Sequence, residues 1–470
     1  MDEELGYLSA TELVARYRRR EISPVAVTGA VLARIARLNP KINAFCLVDE
    51  EGALAAARES EQRWMRGEPN GPLDGVPVSI KDLLLTRGWP TLRGSRTIDP
   101  AGPWTDDAPA VARLRETGAI ILGKTTTPEY GWKGVTDSPL TGVTRNPWNL
   151  SRTPGGSSGG AAAQLAAGLG PLAIGTDGGG SIRIPSAFTG VTGIKPSFGR
   201  VPAWPLSPFG TVAHVGPMAR TTADCALMLN VLARPDARDW YALPYAGTDW
   251  TAGIGASLRD LRIAYSPRLG YVREVDADVE TRVAEAARTL ASLGARVEQV
   301  DPGFANCSVL FWRIWTIGAY NGLRHLAPAK LAMLEPALQE TYRAGERELL
   351  THYLDAATAR AELGIHMRGF HAQYDLLLTP ALAVPAFEVG QLAPSRPGSA
   401  ASWTDWTPFS FPFNLTQQPA MSVPCGFTRD GLPVGLQIVG PMHREDLVLR
   451  AGNAFEQATE FASRRPLLAD

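Results

Sequence analysis

A repeated order of helix, glycine and strand is the feature that most constrains how this chain can fold. Residues 107–123 predict a helix that ends at Gly118 and is followed directly by an apolar strand, and residues 276–300 predict the same unit with Gly294. Residues 157–177 again predict a helix and then a strand. Helices that alternate with apolar strands cover a shared sheet with their apolar faces. The sequence therefore predicts an α/β fold in which helices cover a central β-sheet.

The chain predicts one extended α/β core with insertions. Its 470 residues contain no internal repeat and no low-complexity linker that would separate domains. Near the N-terminus, Ser9 and Glu12 predict a capping box, and Ser23 predicts the cap of a second helix that starts at Pro24. We expect a single domain over residues 1–470, with N-terminal helices over about 1–66, a core over about 67–230, a helical covering insertion over about 303–373, and C-terminal strands and a helix over about 374–465.

Composition and charge exclude several classes of partner. The net charge is −1, so no overall field would draw the chain to nucleic acid or to an anionic membrane. The four cysteines have neither disulfide-scaffold nor metal-ligand spacing, and we expect no metal. The longest apolar run, residues 161–175, is shorter than the roughly 20 residues that span a bilayer and contains Pro171. The acidic N-terminus lacks the order of a secretory signal, which indicates a cytoplasmic protein without a membrane span.

The stretch GTDGGGSIRIPSA, residues 175–187, places Ser181 directly after three glycines. A serine hydroxyl becomes a good nucleophile only when a base removes its proton. Glycines let consecutive N–H groups converge on one point, and such groups beside a hydroxyl form an oxyanion hole. The alternative is a glycine-rich turn that ends in a helix-capping serine. The stretch is not a G-x-S-x-G nucleophile elbow, because Arg183 occupies the last position, and it is not a dinucleotide-binding G-x-G-x-x-G.

Lys81 is the candidate base. It lies in the apolar run GVPVSIKDLLL, residues 75–85, where burial would lower the pKa of a lysine from its ordinary value of about 10.4. A second cluster of serines among glycines, TPGGSSGG over residues 153–160, supplies further hydroxyls. The alternative for Lys81 is a structural charge that is paired with Asp82 or another carboxylate.

Residues 118–125, GAIILGKT, match the spacing of a phosphate-binding loop. Such a loop needs free backbone N–H groups between a strand and a helix. Here the intervening Ala-Ile-Ile-Leu favours the strand itself, and Pro128 in the following TTTPEYG does not favour a helix start. We therefore interpret Lys124 as a structural residue and expect no cofactor.

Residues 155–196, from GGSSGG to GIKP, resemble the signature block of the amidase signature family. The resemblance extends through GVPVSIKD, GAIILGKTTTPEY, TRNPWNL, GPMARTTADCALML and the C-terminal PAMSVPCGF and GLPVGLQIVG, so it covers most of the chain. It implies a single large α/β/α domain with a mixed, twisted β-sheet, and an enzyme that hydrolyses amide-type carbon–nitrogen bonds through an acyl-enzyme.

The resemblance also implies roles for individual residues. Ser181 would be the nucleophile, Ser157 a bridging serine that is preceded by a cis peptide bond, and Lys81 the base that takes protons through Ser157. A binding module that kept the fold without activity is disfavoured, because all three positions are filled. The oxyanion hole would use the N–H groups of Gly178, Gly179, Gly180 and Ser181, and the supporting residues would be Ser158, Asp177 and Arg183. A pair between Asp177 and Arg183 is equally well interpreted as a structural ion pair that holds the turn.

The family contains free amidases, carbamate-cleaving urethanases and the glutaminase (A) subunit of a tRNA-dependent amidotransferase. The alternative function is that of this glutaminase subunit. In such a subunit we expect an Asp shortly before the P-x-N-L motif, where it would bind the amino group of glutamine. Residues 412–415 of this chain, PFNL, match the P-x-N-L motif. When the motif is used as the reference, the position expected for the Asp is occupied by Thr407, and Asp405 lies two positions before it. The sequence therefore favours a free hydrolase.

Aromatic residues indicate the kind of substrate. The segments FWRIW, residues 311–315, and SWTDWTPFSFPFNL, residues 402–415, would either line an apolar pocket or pack the core, and the pattern does not decide between the two. The expected partner is a small-molecule amide or carbamate with an apolar or aromatic part. Members of the family are often dimers, and the sequence does not decide whether this chain forms a homodimer. The candidate substrate-binding residues are Tyr130, Trp132, Trp315 and Phe409.

Overall fold

The computed structural model describes residues 2–245, 247–395 and 402–468. Its strands form one large sheet and one small ribbon. The bounds are β1 (Phe45–Val48), β2 (Pro77–Lys81), β3 (Ile120–Thr125), β4 (Asp137–Ser138), β5 (Gly142–Val143), β6 (Leu172–Asp177), β7 (Thr192–Lys195), β8 (His214–Ala219), β9 (Arg262–Tyr265), β10 (Arg296–Gln299), β11 (Leu376–Pro380), β12 (Ala420–Phe427) and β13 (Pro433–Val439).

Helices flank the strands along the whole chain. They are α1 (Asp2–Tyr7), α2 (Ala10–Arg18), α3 (Pro24–Ile42), α4 (Glu50–Arg66), α5 (Pro109–Glu116), α6 (Gly159–Ala166), α7 (Arg183–Thr189), α8 (Thr222–Leu232), α9 (Ala277–Ser292), α10 (Ser308–Leu323), α11 (Pro328–Leu331), α12 (Pro336–Glu346), α13 (Leu350–Phe370), α14 (Pro412–Leu415) and α15 (Glu445–Gln457). Of the helices in these described ranges, none has both the length and the apolar character needed to cross a bilayer.

The large sheet contains 11 strands in the order β1-β3-β2-β6-β8-β7-β12-β13-β11-β9-β10. It is mixed, because β3, β2 and β6 run parallel on one side and β11, β9 and β10 run parallel on the other, with antiparallel pairs between them. Helices cover this sheet in a single domain, so the predicted fold class is confirmed. The finer division of the chain into segments stays a prediction.

Local signals at the helix ends operate as the sequence indicates. The Ser9 side chain accepts the N–H of Glu12, and the Glu12 carboxylate in turn accepts the N–H of Ser9, so α2 begins with a capping box. The Ser23 side chain caps α3, which begins at Pro24. Because these contacts span only three residues, sequence spacing is sufficient to predict them.

The centre of the sheet contains a strand that the sequence pattern did not indicate. Strand β8 pairs antiparallel with both β6 and β7, although Gly216 and Pro217 interrupt its apolar pattern. Proline and glycine normally weaken a strand assignment, because proline lacks an N–H and glycine has no side chain to pack. Near the C-terminus, β12 and β13 follow each other along the chain and pair antiparallel.

The parallel strands β2 and β6 bring the candidate residues to one edge of the sheet. The two strands pair directly, with Ile80 opposite Ile174, so their carboxyl ends lie side by side. Lys81 is the last residue of β2, and Asp177 is the last residue of β6. In open α/β sheets, ligands bind beyond the carboxyl ends of the strands. This edge is therefore where a functional site is expected.

Candidate active site

Lys81 is buried at the end of β2 among hydroxyl groups. Its Nζ lies 2.7 Å from the Ser157 Oγ, 2.8 Å from the Ser158 Oγ and 2.8 Å from the Thr176 Oγ1. Burial lowers the pKa of Lys81 well below its usual 10.5, and the charge of Asp177 only partly opposes this effect. A lysine whose pKa is lowered in this way can hold a neutral amine that accepts a proton.

Asp82 is not the partner of Lys81. Its carboxylate lies 3.3 Å from the Nζ of Lys124, which also donates to the Leu84 carbonyl and to the Thr91 hydroxyl. Lys124 is the fifth residue of β3 and is fully buried, so residues 120–125 of the matching stretch form a strand rather than a phosphate-binding loop. The structural interpretation of Lys124 is confirmed by these contacts.

Ser157 and Ser158 stand at the start of α6, in the turn that meets Lys81. The peptide bond between Gly156 and Ser157 is cis, as the sequence resemblance implies. The backbone N–H of Ser158 donates to the carbonyl oxygen of Ser181 at 3.1 Å, so this turn is joined directly to the one that follows β6. Both Ser157 and Ser181 line one cavity. The structure thus brings the two serines and the lysine together, although 100 residues separate Lys81 from Ser181.

The glycine turn, residues 178–180, precedes Ser181. In the described part of the chain, the N–H groups of Gly178, Gly179 and Ser181 have no hydrogen-bond acceptor, which leaves them available to a bound oxygen. The N–H of Gly180 differs from the expectation, because it donates to the Asp177 carboxylate at 2.7 Å. The geometry therefore favours an oxyanion hole of three N–H groups without Gly180.

Asp177 and Arg183 form a fully buried ion pair beneath the glycine turn. The Arg183 Nη2 lies 2.9 Å from the Asp177 Oδ1, and its Nε lies 3.0 Å from the Oδ2. Burial alone would raise the pKa of Asp177, but the Arg183 charge and hydrogen bonds dominate and hold it well below its usual value. Arg183 also donates to the side chains of Asn414 and Gln437. The pair therefore fixes the turn that carries Ser181 against the C-terminal strands.

Two buried residues of the site are not predicted to be functional from the sequence. Thr176 places its hydroxyl against Lys81, and it lies within the stretch that was singled out for Ser181. His214 lines the cavity and lies 2.8 Å from the Val212 carbonyl through its Nδ1 and 3.4 Å from the Nζ of Lys195 through its Nε2. No motif in the sequence indicates His214, because its contacts depend on the pairing of β8 with β6 and β7.

The cavity in front of Ser181 is partly open to solvent, and its volume is about 1400 Å³ when that open part is included. Three of the candidate substrate-binding residues, Tyr130, Trp132 and Trp315, line it. The fourth, Phe409, is fully buried and lies outside the lining, and its carbonyl oxygen accepts a hydrogen bond from Gln437. Phe409 therefore packs the core, the other of the two interpretations that the aromatic pattern leaves open.

Stacked rings cover the glycine turn. This aromatic wall consists of Phe209, Phe311, Trp315 and Trp403. The ring centroids of Phe209 and Trp315 lie 3.8 Å apart, and those of Phe311 and Trp315 lie 5.3 Å apart. A Cβ on Gly179 would come within 2.6 Å of Phe311 and 2.8 Å of Trp403, so only a glycine fits there. The wall and the turn are in direct contact.

The residues considered for glutamine binding lie away from the cavity lining. Thr407 is fully buried and donates its hydroxyl to the Trp403 carbonyl, and Asp405 is exposed. Among the described residues, the carboxylates that line the cavity are Asp177, which is paired with Arg183, and Asp239. Neither of the two considered positions supplies a carboxylate to the site.

Comparisons with known proteins agree with this geometry. A family model described as Amidase matches residues 26–449. An acylamidase of Rhodococcus erythropolis is 39% identical over 471 residues, which cover 99% of this chain and 98% of that protein. The A component of the glutamyl-tRNA(Gln) amidotransferase of Chloroflexus aggregans is 36% identical over 491 residues, with 99% of each chain covered.

Solved structures give the same result. A bacterial aryl acylamidase of the amidase signature family superposes with a TM-score of 0.90 at 33% identity, covering 98% of this chain and 99% of that one. A 6-aminohexanoate cyclic dimer hydrolase in complex with substrate superposes with a TM-score of 0.89 at 30% identity, with the same coverage.

Proposed function

Because the chain belongs to the amidase signature family and is an amide hydrolase, we propose that it is a free-standing acylamidase whose substrates carry an apolar or aromatic part. The reaction proceeds through an acyl-enzyme on Ser181. The observation that carries this proposal is the contact of 2.7 Å between the buried Lys81 Nζ and the Ser157 Oγ, in a cavity that Ser181 also lines.

The relay of Lys81, Ser157 and Ser181 moves one proton in each direction. The neutral amine of Lys81 takes the proton of Ser157, which takes that of Ser181, and the Ser181 oxygen attacks the amide carbonyl. The carbon–nitrogen bond then breaks, and the proton returns through the relay to the leaving amine. Water attacks the acyl-enzyme ester through the same groups and releases the carboxylic acid and free Ser181.

Charge that develops on the carbonyl oxygen is stabilised by the glycine turn. Free N–H groups at Gly178, Gly179 and Ser181 support an oxyanion hole in a position next to the nucleophile. Ser158 and Thr176 hold the Lys81 amine in place through their hydroxyls. The buried Asp177–Arg183 pair keeps the turn rigid, so the donors are in place before substrate binds.

The cavity favours substrates with an apolar or aromatic group. Trp132 and Trp315 are nearly fully buried at its wall, and the half-exposed Phe209 stacks on Trp315. Aromatic rings of this kind bind apolar groups through area burial and ring stacking. A carbamate passes through the same kind of tetrahedral oxyanion, so we include urethanes with an aryl amine in the proposed range of substrates.

The glutaminase component of a tRNA-dependent amidotransferase is the second candidate, because relatives with that description are almost as similar as the acylamidase. In this chain, Thr407 stands where we expect a carboxylate for the glutamine amino group, and Asp405 is exposed and lies outside the cavity lining. These positions support the free hydrolase. Glutamine-dependent amide transfer in the presence of the other components of such a complex would establish the second candidate instead.

Release of 4-nitroaniline tests the proposal. The substrates are an N-acyl 4-nitroanilide and the corresponding N-(4-nitrophenyl) carbamate, and the enzymes are the wild type and Ser181→Ala. We expect release by the wild type and none by the variant, and the ratio of the two rates gives the preference between amide and carbamate. Ser207→Ala, on a half-exposed serine that lines the same cavity, is the matched control and should retain activity. Undiminished release by Ser181→Ala would overturn the proposed mechanism.

A further inference from the structure

The charged groups of the cavity differ in whether a partner neutralises them. Asp177 is paired with Arg183. The Asp239 carboxylate accepts the N–H groups of Ala203 and Tyr241 at 2.8 and 2.9 Å. These contacts satisfy both acidic side chains that line the cavity in the described part of the chain.

Two other bases of the site are buried. Burial lowers the pKa of Lys81 and that of His214 well below their usual values, which disfavours a positive charge on either side chain. Arg93 is different, because its guanidinium carries a positive charge. It is the arginine that lines the cavity in the described part of the chain.

The Arg93 guanidinium is not paired within the described part of the chain. It makes no hydrogen bond, ion pair or cation–π contact there, although the residue is half-buried and lines the cavity. The Arg93 backbone is held in place, because its carbonyl accepts the N–H of Tyr130 at 2.7 Å. A guanidinium that lines a cavity without a protein partner can bind an acceptor from outside the chain.

Backbone strain accompanies this placement. Arg93 has a φ of 54° and Tyr130 a φ of 53°, both in the left-handed region that favours glycine. Strained non-glycine residues persist where the surrounding structure enforces them, and they cluster at ligand-binding sites. Here the two strained residues are hydrogen-bonded to each other and both line the cavity.

The Arg93 segment adjoins the relay. Gly131 follows Tyr130, and a Cβ built on Gly131 would lie 3.4 Å from the Ser157 Oγ. The segment that holds Arg93 is therefore hydrogen-bonded to the segment that lies beside the bridging serine.

We propose that Arg93 is a specificity residue that binds a carboxylate on the substrate, so that the enzyme prefers amides which join an apolar or aromatic group to an acid. A guanidinium binds a carboxylate through two parallel hydrogen bonds, which fix the orientation of the carboxylate as well as its position. This inference rests on the proposed function, because it names the class of amide that the same cavity accepts.

Two matched substrate pairs test the inference. In one pair the carboxylate is on the acyl side, as in glutaric acid mono-4-nitroanilide against its terminal primary amide. In the other it is on the amine side, as in N-acetyl-4-aminobenzoate against N-acetyl-4-aminobenzamide. In at least one pair we expect kcat/KM of the wild type for the carboxylate to exceed that for the neutral amide by on the order of 10- to 100-fold.

The variant Arg93→Gln should remove this preference, and Arg93→Lys should restore part of it. Arg96→Gln is the matched control, because Arg96 lies on the same segment but is exposed and outside the lining. It should keep the wild-type ratio. A ratio near one for the wild type in both pairs would overturn the inference, as would a preference that Arg93→Gln retains.

Binding to Ser181→Ala separates this inference from the proposed function. Calorimetry with the carboxylate and the neutral amide of each pair measures the preference without turnover. Tighter binding of a carboxylate that depends on Arg93 supports the inference even if the wild type hydrolyses neither compound, a result that would count against the proposed function alone. Turnover that depends on Ser181, without any preference for the carboxylate, would leave the function standing and refute the role of Arg93.

Discussion

The wall of the cavity that carries Ser157 and Ser181 is held by hydrogen bonds, whereas the aromatic wall is held by ring packing. In the first, the Asp177 carboxylate accepts from the side chains of Arg183 and Asn414 and from three backbone N–H groups. In the second, Trp315 stacks between Phe209 and Phe311 and makes one hydrogen bond, to the Trp132 carbonyl.

The difference indicates which wall sets the chemistry and which sets the choice of substrate. A buried polar network tolerates little change, because one lost partner leaves another group unsatisfied. Apolar packing tolerates changes of shape at a lower cost. We therefore expect substitutions in the hydrogen-bonded wall to abolish activity or unfold the protein, and substitutions in the aromatic wall to alter selectivity.

The largest effect is expected at Lys81. Removing the base with Lys81→Met should lower kcat by on the order of 100- to 10,000-fold. Lys124→Met is the matched control, since Lys124 is also fully buried but pairs with Asp82 away from the relay. It should lose stability while the folded fraction keeps the wild-type kcat. Equal losses of kcat in both variants would mean that the hydrogen-bonded wall acts only as scaffold.

The pH profile of the wild type sharpens the same test. Only neutral Lys81 accepts a proton, and burial lowers its pKa well below 10.5. The rate should fall as the pH drops through that lowered pKa and be constant above it, so kcat/KM should level off well below pH 10.5. A rise that continues to pH 10.5 would contradict the role of Lys81 as the base.

The next largest effect is expected at Asp177. The variant Asp177→Asn leaves the buried Arg183 without its counter-charge, which should lower the free energy of unfolding by about 3–5 kcal/mol. Urea unfolding measures this change. Asp260→Asn, in an exposed pair with Arg296, is the control and should leave stability unchanged. If Asp177→Asn lowered the free energy of unfolding only slightly, the turn would be held by contacts other than the Asp177–Arg183 pair.

A smaller effect is expected at Gly179, where the two walls touch. A Cβ at this position would come within 2.6 Å of the Phe311 ring, so Gly179→Ala should cost about 1–3 kcal/mol of stability through overpacking. The displaced turn should also lower kcat. Gly364→Ala, where a Cβ meets nothing within 4 Å, is the control and should show neither loss. An unchanged Gly179→Ala enzyme would show that the walls move independently.

The smallest effect is expected at Trp315. Trp315→Leu should lower the ratio of kcat/KM for an aromatic acyl group over an aliphatic one by about 3- to 10-fold, because ring contacts of this kind contribute modestly. Phe409→Leu is the control, since Phe409 is buried outside the cavity lining, and it should reduce stability without changing the ratio. A loss of all activity in Trp315→Leu would erase the distinction between the two walls.

Much of the candidate site could be predicted because its residues lie in short, distinctive stretches. Lys81 is a charge in an apolar run, and Ser157 and Ser181 lie among glycines. Thr176 was missed because threonine at the end of a strand is common and only its contact with the Lys81 Nζ distinguishes it. The N–H of Gly180 was assigned to the oxyanion hole, but its actual acceptor depends on the side-chain direction of Asp177, which spacing does not give.

The sequence by itself determined the helix caps, the alternation of helices and strands, and the residues that bear the chemistry, because these depend on neighbours within a few positions. Only the tertiary structure decided which of the aromatic residues face the cavity, which buried lysine pairs with Asp82, and that the arginine of the cavity lining is unpaired among the described residues. These outcomes depend on contacts between distant segments, such as the seating of α10 on the turn after β6. Ring burial and charge pairing are fixed when such segments pack, and not before.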